Sequence, residues 1–322
     1  MKIVLVEPLG ISSELLEKYA GEIRGLGHEF VSYAARPADT AELCARVEGA
    51  DAVMVANLPF PKEAVGASGN LKYIDIAFTG VDHVDIAACK ERGISVSNAS
   101  GYSDVAVAEL AFGLMLGLSR NIVPCNQVVR RAGTKDGLVG TELFGKTLGV
   151  VGTGKIGATV IRIALAFGMK VIAHSRTVKP ELETLGVRFT SLPELMEESD
   201  IVTLHVPQNT STSGMISREL IGRMKPGAIL INTARGPIVD SNALAEALES
   251  GRLRGAGIDV FEAEPPIPED HPLVKAPNAL LTPHVAFATV EALERRAEIV
   301  FGNLKAWLAG TVQNSVCCLL YT

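Results

Sequence analysis

Short, continuously apolar runs alternate with helix-periodic segments along almost the whole chain, and this alternation restricts the fold more than any other feature. Lys2 to Glu7, Glu29 to Tyr33, Ala52 to Ala56 and Tyr73 to Ala77 read as buried strands. Between them, SSELLEKYA and DTAELCARVEGA carry the spacing of amphipathic helices. Strands that are apolar at every position have both faces covered, which is the condition of a parallel sheet with helices on each side. This first series predicts about five strands and ends near Ser97.

A long apolar helix pattern follows from about Asp104 to Arg120, buried on most sides. After the looser stretch RRAGTKDGLVGTELFGK the alternation resumes. Thr147 to Val151, Lys170 to His174, Ile201 to Leu204, Ala228 to Asn232, Ala256 to Val260 and Leu280 to Thr282 predict about six strands, the number in a full Rossmann sheet. Helices are expected at Ile156 to Ala166, at Ser241 to Glu249 and, after the last strand, from about Thr289 to Ala309. The Pro-rich run EAEPPIPEDHP breaks regular structure before that strand. A chain of 322 residues exceeds one ordinary core, so two doubly wound α/β domains are expected.

Composition narrows the class. Hydrophobic residues make up 48% and charged residues 20%, which is globular and not disordered. A net charge of −6 without a basic run argues against a nucleic-acid surface or a polybasic membrane contact. The apolar stretch Val105 to Leu118 is interrupted by Glu109, and MKIVLVEPLG is too short for a signal peptide, so a soluble, cytoplasmic protein is expected. The five cysteines include the adjacent Cys317 and Cys318 and show no CxxC or metal-ligand spacing. They read as reduced, incidental thiols, with no metal expected.

LGVVGTGKIG places Gly152, Gly154 and Gly157 in G-x-G-x-x-G spacing between a strand and a helix. The first glycine permits a tight turn, the second a close approach to a pyrophosphate, and the third close packing of helix on strand. The helix N-terminus then presents N–H groups to the phosphates. At the end of the next strand, an acidic residue would select NAD. Here stand His174, Ser175 and Arg176, with Lys179 nearby. Neutral Ser175 and cationic Arg176 favour a 2′-phosphate and hence NADP, with NAD left open.

Three further segments bring charged groups to strand ends: Arg235 in ILINTARGPIVD, Glu264 in AGIDVFEAEPP and His284 in ALLTPHVAFAT. Reduction of a 2-oxo acid needs a cation for the carboxylate and carbonyl, a proton donor for the developing alkoxide, and a group that keeps the donor charged. Arg235, His284 and Glu264 suit these parts in that order. Each alone has a plainer role: Arg235 can pair with Asp240, Glu264 can be a solvated loop residue, and His284 can be structural. Together, beside a cofactor turn, they point to hydride transfer at C2 of a small 2-hydroxy or 2-oxo acid.

These segments, with TLHVPQNTSTSGMI, closely resemble the D-isomer-specific 2-hydroxyacid dehydrogenases, in the family's order and spacing and over essentially the whole chain. The resemblance implies D stereochemistry, a homodimer, and Arg235, Glu264 and His284 as the catalytic set. It implies cofactor contacts at Thr153, Lys155, Ile156, Val206, Pro207, Thr212, Thr233, Ala234 and Asp259, the last near the nicotinamide carboxamide. FTGVDHVD resembles the family's substrate loop, with backbone N–H groups around Thr79, Gly80 and Val81 for the carboxylate and Ala56, Asn57 and Leu58 nearby. The last helix would return to the first domain, giving a flavodoxin-like substrate domain of residues 1–98 plus 290–322 around a Rossmann NAD(P) domain of 99–289. Ala286 and Phe287 resemble members that reduce hydroxypyruvate or glyoxylate, with the Phe287 ring limiting the substrate side chain. The chain departs from the family at Ser175, where an Asp is usual, and in the tail SVCCLLYT. The alternative is a cofactor-sensing regulator, like the corepressors of this fold. Formate oxidation is set aside, because formate has no hydroxyl to deprotonate and that branch carries Gln where Glu264 stands.

Overall fold

The computed structural model describes residues 1–316, which fall into two units. One is Met1–Ser103 with the chain from Ala288 onward, and the other is Asp104–Phe287. Cys317 and Cys318, with the rest of the tail, lie outside the described residues. Cys44 and Cys125 are free thiols.

The first unit holds β1 (Lys2–Leu5), β2 (Glu29–Ser32), β3 (Ala52–Val55), β4 (Tyr73–Ile76) and β5 (Ser95–Asn98). They form one parallel sheet in the order β2-β1-β3-β4-β5. This is the flavodoxin-like order, whose winding reverses between β1 and β3. Every residue of β3 and β4 is buried, as expected of strands covered on both faces. The helix Val290–Leu308, capped by Thr289, packs on β4. Its Phe301 stacks on Tyr19 at 4.6 Å and its Trp307 on Tyr73 at 4.8 Å. The chain then runs back along β5, where Asn98 N–H donates to the Asn314 carbonyl at 3.1 Å.

The second unit holds β6 (Thr147–Val151), β7 (Lys170–His174), β8 (Arg188–Phe189), β9 (Ile201–Leu204), β10 (Ile229–Asn232), β11 (Gly255–Ile258) and β12 (Ala279–Leu281). The order is β12-β11-β10-β9-β6-β7-β8, all parallel. It is the Rossmann order extended by β12, with the winding reversing between β6 and β9. The sheet has seven strands where the sequence predicts six. The addition is β8, a two-residue edge strand too short to carry a pattern.

The helix Asp104–Ser119 belongs to this unit and lies across β10, β11 and β12. Glycines in β11 make room for it: a Cβ on Gly257 would stand 2.8 Å from Leu114, and one on Gly255 2.9 Å from Leu118. A further helix, Ile122–Arg130, was not expected. It buries no residue, and its Pro124 sits in the first turn, where a missing N–H costs nothing. Among the described residues no single helix is long and apolar enough to cross a membrane. Asp104–Ser119 and Ile122–Arg130 pass only as a pair bent by 58°.

Candidate active site

The loop after β6 shows why its glycines are needed. Gly152 has φ +94°, and a Cβ there would lie 2.5 Å from the His205 carbonyl oxygen after β9. A Cβ on Gly157 would lie 2.0 Å from the Gly152 carbonyl oxygen, so helix Lys155–Ala166 can pack this closely only with glycine. A Cβ on Gly154 would meet nothing within 4 Å, so the backbone borders open space. No side chain caps this helix, whereas Ser12, Asp39, Ser191 and Asp240 cap others. Its first N–H groups are left for an anion. Thr153 and Thr233 are buried, and among the described residues their hydroxyls have no protein partner. These features fit a dinucleotide at the carboxyl ends of β6, β9 and β10.

Other expected cofactor residues take distinct places. Thr212 is buried and closes the turn after β9, donating to the Pro207 carbonyl at 2.7 Å and accepting from Asn209 N–H at 2.9 Å. Val206 and Pro207 form the start of that turn. Before it, His205 shares a hydrogen bond with Thr203 at 2.9 Å, and burial pushes its pKa down to about 3. After β7, Ser175 is half-buried and Arg176 exposed. His174 Nδ1 meets the Thr190 carbonyl at 3.0 Å.

The three charged candidates follow β10, β11 and β12, and all lie in the second unit. His284 Nδ1 stands 2.8 and 2.9 Å from the two Glu264 oxygens. The imidazole is thereby oriented, with Nε2 turned away from the carboxylate. Phe287 sets its ring edge-on to His284 at 5.5 Å. His284 itself has φ +56°, a left-handed conformation unusual for a residue with a side chain. Its N–H donates to the Asp259 carbonyl at 2.8 Å and the Thr282 carbonyl at 3.1 Å.

Asp259 explains how that conformation is held. Its carboxylate accepts from Thr282 Oγ1 at 2.6 Å, Val285 N–H at 2.9 Å and Ala286 N–H at 2.9 Å. Burial raises its pKa against the pull of these donors. Asp259 is fully buried in this structure, and its carboxylate holds the His284 turn.

Arg235 follows β10 in extended conformation. Asn232 holds this segment, donating from Nδ2 to the Arg235 carbonyl at 2.8 Å and accepting from Ala234 N–H at 3.0 Å. A Cβ on Gly236 would lie 1.9 Å from the Phe261 carbonyl carbon, so the ends of β10 and β11 meet here only because residue 236 is glycine. Asp240 is spent on capping helix Ser241–Glu249, with Ala243 N–H at 2.9 Å. It does not pair with Arg235.

Sequence reading missed Glu262. Its carboxylate accepts from Ser241 Oγ at 2.6 Å and pairs with His271 Nε2 at 2.9 Å. Burial disfavours its charge, but these two partners win and lower its pKa. They pin both ends of the loop that carries Glu264. The acidic, Pro-rich composition of that loop gave no sign of this.

In the first unit, the substrate-loop candidates follow β3 and β4. Among the described residues, the backbone N–H groups of Thr79, Gly80 and Val81 donate to no protein acceptor. Asn57 and Leu58 are half-buried, and Leu58 N–H donates to Glu7 at 2.9 Å.

A Rossmann sheet with this glycine turn, and an imidazole–carboxylate pair at its carboxyl end, defines a nicotinamide-dependent oxidoreductase. The family model for the NAD binding domain of D-isomer specific 2-hydroxyacid dehydrogenases matches residues 112–286. A glyoxylate reductase of Thermofilum pendens is 40% identical over 85% of this chain and 83% of its own. A hydroxypyruvate reductase of Thermotoga maritima is 45% identical over 72% of this chain and 76% of its own. Among solved structures, an acyclic imino acid reductase in complex with NADPH and D-Arg superposes with a TM-score of 0.88, at 33% identity, over 98% of this chain and 100% of its own. The chain belongs to the D-isomer specific 2-hydroxyacid dehydrogenase family. It is an NAD(P)-dependent oxidoreductase acting on CH–OH donors. The comparisons give the regulatory reading no support.

Proposed function

We propose that this enzyme reduces glyoxylate and hydroxypyruvate to the corresponding 2-hydroxy acids, with Arg235, Glu264 and His284 as its catalytic residues. The observation that carries the reading is the His284–Glu264 pair, with 2.8 and 2.9 Å contacts at Nδ1. Bound NAD(P)H supplies the hydride to C2. Arg235 grips the carboxylate and polarises the carbonyl. His284 Nε2 delivers a proton to the oxygen as the carbonyl electron pair becomes an alkoxide, and Glu264 stabilises the imidazolium beforehand. In the oxidative direction the neutral ring takes that proton back. The free N–H groups of Thr79, Gly80 and Val81 supply donors for the substrate carboxylate. Phe287, edge-on to His284, restricts the side chain to a small one.

The cofactor assignment is NADP, because no carboxylate follows β7 and the exposed Arg176 can pair with a 2′-phosphate. Asp259 acts through the His284 turn, and Thr153, Thr233 and the glycine turn hold the dinucleotide. A homodimer is assigned from the exposed apolar side chains between residues 122 and 144. Val129 and Phe144 are each 74% exposed and Val139 is 89% exposed, more than a surface kept to solvent favours. Free thiols at Cys44 and Cys125 support a reducing cytoplasm.

The test is NADPH and NADH oxidation, side by side, with hydroxypyruvate and glyoxylate. Turnover that NADPH drives best, and that His284→Ala abolishes while cofactor binding persists, is the expected result. No turnover across a panel of small 2-oxo acids, with cofactor binding intact, overturns the catalytic assignment. Sedimentation equilibrium at the monomer mass overturns the dimer.

A further inference from the structure

Glu7 is charged, only 1% exposed, and lies just beyond β1. It reaches across the point where the winding of the first sheet reverses. Its Oε1 accepts from Ala56 N–H at 2.8 Å and Leu58 N–H at 2.9 Å, both just beyond β3. Its Oε2 pairs with Arg36 Nε at 2.9 Å. Arg36, half exposed, also donates from Nη2 to Asn57 Oδ1. Glu7 therefore takes the two flanking N–H groups and leaves the one between them: Asn57 N–H donates to no protein acceptor among the described residues. A guanidinium has donors only, so the Asn57 carboxamide must turn its oxygen toward Arg36 and its Nδ2 away. Nδ2 also lacks a protein acceptor. The network thus fixes two donors, on one residue, at the crevice where sheets of this order bind ligands.

We propose that Asn57, oriented by Glu7 and Arg36, recognises an oxygen substituent on C3 of the substrate, so that the enzyme prefers 2-oxo-3-hydroxy acids to their unsubstituted counterparts. This rests on the reading of the active site above. The carboxylate already has the donors of Thr79, Gly80 and Val81 after β4. Strands β3 and β4 are parallel neighbours, so the loops that carry Asn57 and these donors leave the same edge of the sheet from adjacent strands. Asn57 would touch substrate, and Glu7 and Arg36 are positioning residues.

The experiment compares hydroxypyruvate with pyruvate, which differs from it only in lacking the C3 hydroxyl. In wild-type enzyme kcat/KM is expected to favour hydroxypyruvate by about tenfold or more. Asn57→Ala is expected to remove most of that ratio, falling far more with hydroxypyruvate than with pyruvate. Arg36→Met frees the carboxamide to rotate and is expected to raise KM for hydroxypyruvate several-fold with kcat retained. Arg36→Lys, which keeps a donor and a charge, is expected to restore part of the loss. A ratio unchanged in Asn57→Ala, or an Arg36→Met enzyme that loses both substrates equally, overturns the proposal while leaving the dehydrogenase reading standing. A wild-type enzyme that reduces neither acid overturns the reading beneath it and the proposal together.

Discussion

The two sheets close their points of reversal by opposite means. In the second unit, Gly152 after β6 approaches the His205 carbonyl after β9 so closely that a Cβ would lie 2.5 Å from it. Backbone meets backbone, and only glycine fits. In the first unit, Glu7 after β1 spans to Ala56 and Leu58 after β3, and a buried carboxylate fills the gap. The glycine closure leaves open space beside Gly154. The glutamate closure consumes most local donors and leaves a chosen few. On the readings proposed above, the first admits a cofactor by shape and the second discriminates a small molecule by polarity.

Forcing a side chain into the glycine closure is the largest perturbation available. Gly157→Ala puts a methyl 2.0 Å from the Gly152 carbonyl oxygen, and Gly236→Ala puts one 1.9 Å from the Phe261 carbonyl carbon. Neither neighbour is a side chain that can swing aside. Each variant is expected to lose about 3 kcal/mol or more in denaturant unfolding. Gly154→Ala meets nothing within 4 Å, so it should unfold within about 1 kcal/mol of wild type while binding NADPH at least tenfold more weakly by fluorescence titration. If Gly154→Ala is as unstable as Gly157→Ala, the motif here is packing and not a cofactor cradle.

Next in size are changes to the proton-transfer pair and its support. Glu264→Gln keeps a hydrogen bond to His284 but removes the charge, and kcat for reduction should fall about 10- to 100-fold with NADPH affinity kept. Asp259→Asn leaves only one acceptor oxygen for three donors, and an NH2 then faces an N–H. The left-handed His284 turn should loosen, with kcat lower by about tenfold and the fold retained. An Asp259→Asn enzyme with normal kcat and weakened cofactor binding would instead favour a direct cofactor contact.

The division between the closures also marks what could be read from the chain. The strands were legible because parallel strands buried on both faces are apolar at every position. Gly152, Gly154, Gly157, Arg235 and His284 could be nominated as candidates because each lies in a short contiguous motif. The two-residue β8 was not, being too short to carry a period, and neither was helix Ile122–Arg130, which buries no residue. Glu7 was read as the end of a strand, because its partners lie 49 and 51 positions away. Glu262 was hidden for the same reason, its partners standing on other elements. Asp259 was visible as a residue, but its hold on the His284 turn was not, because its donors Thr282, Val285 and Ala286 lie 23, 26 and 27 positions away.

The smallest effects separate the units by sign. Each contains a desolvated titratable group outside the chemistry proposed above: half-buried His205 beside the second closure and fully buried Asp75 in β4 of the first. Burial drives His205 down from 6.5 to about 3, so it stays neutral in the fold while its unfolded form protonates below 6.5. The unfolded state then binds more protons, and this group's stability contribution, full above 6.5, is lost as pH falls toward 3. Asp75 moves the other way. Burial, opposed by the Asn303 amide donating to Oδ1 at 3.2 Å, lifts its pKa well above 3.8. There the folded state binds the extra proton, so its contribution is full below 3.8 and is lost as pH rises through the raised value. His205→Gln should therefore flatten the acid arm of a stability-against-pH curve measured by urea unfolding. Asp75→Asn, which cannot ionise, should match wild type within about 1 kcal/mol at pH 4 and gain on it steadily toward pH 8. An Asp75→Asn protein that instead loses stability as pH rises would mean that this carboxyl is ionised in the fold. The first unit would then hold a buried charge in β4 as well as at its closure.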